Sequence, residues 1–133
     1  MNADLVLQSF ERAAERCDDL TPLVYRRLFS DHPEMEAFFV MDRTGAARGS
    51  MLAWVIKALL DFVGERQYGR NLIQAEAVNH VGLGVAPQQF RIFFGTLAQT
   101  LQEVLGPDWS AEMDAAWQHL LAELDECMSE AQA

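Results

Sequence analysis

Apolar residues recur along this chain at spacings of three and four, and nowhere alternate over the length of a strand with hairpin signals at its ends. The pattern is plainest from Arg48 to Val63, where Met51, Leu52, Val55, Ile56, Leu59, Leu60 and Val63 form one stripe of a helix. A chain written this way can bury its apolar side only by packing helix on helix, so the fold class is all-α. The other helices follow from their punctuation. Asp4 is a suitable N-cap for a first helix carrying Leu5, Phe10, Ala13 and Ala14, which ends near Cys17-Asp18-Asp19. Thr21-Pro22 reads as cap and first residue of a second helix, with Leu23, Val24, Tyr25, Leu28 and Phe29, that stops before Pro33.

A short helical piece spans Pro33 to Phe39, and Met41 to Gly49 reads as a loop into the Arg48–Val63 helix. Gly64 closes that helix, and residues 65–71 form a polar linker. A helix from about Asn71 to Val81 is broken by Gly82 and Gly84. Pro87 opens one that runs to about Leu105 and ends at Gly106-Pro107, and Ser110 caps the last, with Ala116, Trp117, Leu120, Leu121, Leu124 and Met128 on one face. The expectation is about seven or eight helices in one domain, residues 1–133.

Charge and composition exclude several roles. Ten basic residues against twenty acidic ones leave a formal charge of −10, which repels nucleic acid and anionic membrane surfaces alike. The longest apolar stretch, Met51 to Phe62, is broken by Lys57 and Asp61 and falls short of the roughly 18 residues that span a bilayer. The N-terminus lacks the basic start of a signal peptide, so a cytoplasmic protein is expected. Cys17 and Cys127 make neither a disulfide framework nor a zinc motif. No nucleophile elbow, phosphate loop, dinucleotide fingerprint or metalloprotease motif occurs; Gly82-Leu83-Gly84 lacks the surrounding context. His32, His80 and His119 lie far apart, too few for a closed zinc site.

His80 stands before Val81-Gly82-Leu83-Gly84-Val85-Ala86-Pro87. A lone histidine among apolar residues has two readings: a packed or surface imidazole, or the one protein ligand of haem iron, where the porphyrin supplies the other donors. The block His80 to Phe90 resembles the H-x-x-x-G-V-x-P-x-x-[YF] stretch of bacterial single-domain globins and of the globin domain of flavohaemoglobins. Leu23 to Met35 is similar to that family's F-Y-x-x-L-F-x-x-x-P-x-[ML], and Leu97 to Gly106 with Ala116-Trp117 to its last two helices. The resemblance covers nearly the whole chain and implies a globin fold around a haem pocket.

It implies more, residue by residue. His80 matches the iron ligand, its ring oriented by a backbone carbonyl near Glu76 or Ala77. Phe39 matches the ring packed on the porphyrin, Tyr25 the distal tyrosine that donates to bound dioxygen, and Val85 a residue under the haem edge. Family spacing puts Arg48 at the distal position, with Met51 and Leu52 beside the iron; a different loop length would put Ala47 or Gly49 there instead. An arginine at that place reaches outward to a propionate. Phe90 stands where flavohaemoglobins have a tyrosine, and the acid that partners it is missing, which points to binding more than activation of oxygen. Glu76 replaces a usual leucine one turn before His80, facing solvent or a propionate edge. The implied cofactor is haem b, and the implied ligands are dioxygen, carbon monoxide and nitric oxide. The leading expected function is reversible oxygen binding for storage, delivery or sensing; the second is nitric oxide dioxygenation with a separate reductase, since 133 residues hold no flavin domain beside the first.

Overall fold

The computed structural model describes residues 3–132, with side chains through residue 130. Six α-helices occur among them: α1 (Ala3–Arg16), α2 (Thr21–Asp31), α3 (Ala46–Val63), α4 (Gly69–Gly82), α5 (Pro87–Leu105) and α6 (Ala111–Gln132). Two 3-10 segments, Pro33–Phe39 and Gly106–Asp108, complete the eight helical pieces, and no strand is present among the described residues. The all-α expectation holds.

The long helices α5 and α6 supply half of the buried apolar core among the described residues. Phe94, Leu97, Leu101 and Leu105 of α5 meet Trp117, Leu120 and Leu124 of α6, all buried. Helix α1 packs on both, α2 crosses α5, and α4 lies against α3 and α6. Trp117 is fully buried, so its indole N–H needs a partner; it donates to Ser9 Oγ at 2.9 Å, and Ser9 in turn donates to the Val6 carbonyl. Arg16, at the end of α1, donates to the carbonyls of Val104 and Leu105 and pairs with Asp108, which satisfies the exposed C-terminus of α5.

The starts of α2, α3 and α4 differ from the sequence expectation, each through a carboxylate upstream of the helix. Thr21 is the first residue of α2 and not its cap; Leu20 holds that position without a side-chain bond, and Asp19 Oδ1 accepts the Thr21 N–H at 3.0 Å. Helix α3 begins at Ala46, two residues before Arg48, because Asp42 reaches over the intervening loop to accept the N–H groups of Ala47 (3.1 Å) and Arg48 (3.0 Å). Helix α4 begins at Gly69, ahead of Asn71, because Asp61 of α3 accepts N–H bonds from Gln67, Tyr68 and Gly69. Only glycine fits at 69: a Cβ there would run into the Ala58 carbonyl oxygen of α3. Ser110 caps α6 as expected, accepting the Met113 N–H at 3.0 Å. Asp4 falls inside the first turn of α1.

Candidate functional site

His80 occupies the last turn of α4. Its Nδ1 lies 2.7 Å from the carbonyl oxygen of Glu76, one turn earlier, and can reach that oxygen only as a donor. The proton is thereby held on Nδ1, and Nε2 keeps its lone pair with no hydrogen-bond partner among the described residues. The turn after α4 folds back on the same residue. The N–H groups of Leu83 and Val85 both donate to the His80 carbonyl, at 3.0 and 2.9 Å, with Gly84 in the left-handed region at φ 92°. This fold-back brings Leu83 and Val85 to the imidazole. Helix α5 then starts at Pro87, with Gln89 Oε1 accepting the Ala86 N–H, and its first turn sets Phe90 against His80 with ring centroids 4.8 Å apart.

A cavity of about 320 Å³ opens beside the imidazole. Phe38, Phe39 and Met35 from the 3-10 segment line it, with Leu28 of α2, Met51 of α3, Leu83 and Val85 of the turn, and Gln89, Phe90 and Phe93 of α5. His80 and Gln89 are its only polar side chains, and Gln89 is already spent on the Ala86 N–H. Such a slot has apolar walls, one free imidazole nitrogen and no second metal ligand from a charged side chain. No cluster of three or more His, Cys, Asp or Glu that would hold a bare ion occurs among the described residues. The donor set suits a metal whose remaining ligands arrive with an apolar group.

Five of the residues singled out from the sequence thus share this cavity: His80, Phe39, Met51, Val85 and Phe90. Tyr25, Arg48 and Leu52 do not line it. Tyr25 is buried behind Phe39 and Phe93, with ring centroids 5.2 and 5.7 Å away, and its hydroxyl donates to the backbone carbonyl of Arg48 at 3.1 Å. Burial pushes the Tyr25 phenol well above its ordinary value, against the pull of Arg48, so the donor proton stays on. The Arg48 guanidinium is bound to the Asp42 carboxylate (Nε to Oδ2, 3.1 Å) and to the Asp42 carbonyl. Leu52 is buried toward a different pocket, shared with Phe10, Leu20 and Ile56, and Gly49 lines that same pocket. Ala47 is exposed. Sequence reasoning did not single out Leu28, Met35, Phe38, Leu83, Gln89 or Phe93. The helical offsets of three from Tyr25 to Leu28, His80 to Leu83 and Phe90 to Phe93 were the signal for half of them.

The globin family's sequence model matches residues 23–128, from α2 nearly to the end of α6. The chain belongs to the globin family. A flavohemoprotein of Rhizobium meliloti is 29% identical to this globin over 96 residues, covering 70% of this chain and 23% of that protein. A flavohemoprotein of Halalkalibacterium halodurans is 29% identical over 105 residues, covering 78% and 26%. The globin thus spans about a quarter of the length of these curated relatives. No solved structure is a significant match. No helix among the described residues of this globin is long and apolar enough to cross a membrane.

Proposed function

We propose that this globin holds haem b with His80 Nε2 as the protein ligand to iron, and there binds dioxygen and other diatomic gases reversibly, for storage, delivery or sensing. The observation that carries the reading is the imidazole itself: Nδ1 tied to the Glu76 carbonyl, Nε2 free, at the wall of an apolar slot. Haem, when bound, supplies the iron at which the gas binds. The chain supplies the rest. Glu76 O fixes the tautomer and the ring plane of His80. Phe39 and Phe90 offer flat faces, while Leu83 and Val85 add apolar surface on the His80 side.

The test is titration of the purified protein with haemin, followed by its visible spectrum. His80→Ala should lose the haem or lose the five-coordinate ferrous spectrum, while His32→Ala and His119→Ala leave both unchanged. Normal haem content and an unaltered spectrum in His80→Ala would sink the assignment.

A second reading is supported by the relatives. Their name joins flavin to haem, and this chain matches a quarter of their length. Nitric oxide dioxygenation would then draw its electron from a flavin reductase, combining nitric oxide, dioxygen and one electron to give nitrate. Nitrate formation with a supplied reductase distinguishes this activity from storage.

A further inference from the structure

Glu76 stands one turn before His80 and does two things with respect to it. Its backbone carbonyl accepts the Nδ1 hydrogen bond at 2.7 Å, as any residue at this position would. Its side chain returns to the same nitrogen, with Oε2 3.6 Å from Nδ1, as only an acidic residue would. The two groups are half-shielded, with side-chain exposures of 17% for His80 and 30% for Glu76, and Glu76 has no other ion pair among the described residues. The other side chains lining the cavity beside the imidazole are apolar apart from Gln89, which is bound to the Ala86 N–H, and Phe90 packs against the ring. A negative charge beside the distant nitrogen of a metal-bound imidazole raises that ligand's basicity, and apolar surroundings leave the effect poorly screened.

We propose that Glu76 is a positioning residue for His80, whose carboxylate makes the imidazole a more electron-rich ligand and sets the iron toward oxidation. The inference rests on the haem reading above and goes beyond it. Among the described residues, Glu76 of the preceding turn is the one acidic side chain paired with the His80 ring. No bond is made or broken in this role: the Nδ1 hydrogen bond goes to the Glu76 carbonyl, and the carboxylate 3.6 Å away acts through its charge alone. A ligand so tuned would make the bound iron easier to oxidise and so shorten the life of the oxygenated form.

The experiment compares the haem-loaded wild type with Glu76→Gln and Glu76→Leu. Glu76→Gln keeps size and removes charge; Glu76→Leu tests the same loss if the amide itself forms a new bond. Circular dichroism checks that both fold. The iron–histidine stretching frequency of the ferrous protein, read by resonance Raman, should fall in both variants. The midpoint potential should shift positive, and oxidation of the oxygenated form in air should slow several-fold. Glu76→Asp, which keeps the charge but draws it back, should fall between wild type and Glu76→Gln on all three measures. An unchanged stretching frequency together with an unchanged potential overturns the role of Glu76 while leaving His80 as the ligand. Failure of the wild type to take up haemin overturns both readings.

Discussion

At the scale of single residues, what a side chain can do here is decided by where its one hydrogen bond goes. His80 spends Nδ1 on its own helix and keeps Nε2. Tyr25 spends its only proton on the Arg48 carbonyl, at 3.1 Å, and sits behind the aromatic wall of the cavity. A phenol so committed is a structural group first. Tyr25→Phe in the haem-loaded protein should therefore change the rate of oxygen release by less than about threefold, and instead cost about 0.5–1.5 kcal/mol of stability, the net worth of one hydrogen bond. Stopped-flow release and chemical denaturation measure the two effects. A release rate raised by tens of fold would mean that the hydroxyl leaves Arg48 to meet the bound gas. This division between the two residues also marks what the sequence could tell. His80, Val85 and Phe90 were legible because one continuous motif carries them on adjoining turns, and Phe39 because it follows closely on the second matching stretch. The bond made by Tyr25 was not, because its partner is a backbone atom brought close only by the early start of α3.

Among elements, the recurring device is a carboxylate that starts a helix to which it does not belong. Asp61, in the last turn of α3, receives the N–H groups of Gln67, Tyr68 and Gly69 and so fixes where α4 begins and how it leaves α3. Burial alone would raise the Asp61 carboxyl, but these three N–H bonds outweigh it and hold it below the usual carboxylate range. A carboxyl with a lower pKa folded than unfolded stabilises fully above about pH 4, and the benefit drains away as pH falls through the folded value. Asp61→Asn should accordingly be less stable than wild type at neutral pH, with the gap closing on acidification below about pH 4. Urea midpoints across that range test it; a gap that stays constant would assign the effect to shape and not to charge. Such caps explain why helix type and order were readable from periodicity while the starts of α3 and α4 were off by two residues. Local rules look for a cap directly before the helix, and these arrive from four or more residues upstream.

Across the whole molecule, α2, α3, α4, α5 and the Pro33–Phe39 segment all contribute to one apolar cavity, so their packing is completed by whatever fills it. A ligand held at about a thousand times its dissociation constant adds about 4 kcal/mol to the folded state. The haem-loaded protein should melt at a clearly higher temperature than the haem-free one in paired thermal scans; equal melting temperatures would contradict the proposed filling. The rest of the core, from Phe94 and Leu97 to Trp117 and Leu124, stands away from the cavity and should hold α1, α5 and α6 together in either form. The cavity mouth has a further consequence, for how the chain is made. Phe38 is 41% exposed and Leu83 74%, with Val40 and Met41 also turned outward along the same stretch. Until the slot is filled, a newly synthesised copy presents an apolar opening of the kind that favours association, opposed by the repulsion of a net charge of −10. If haem is what fills the slot, the yield of soluble protein should rise with haem supply during synthesis, and expression with and without added haem precursor measures that dependence.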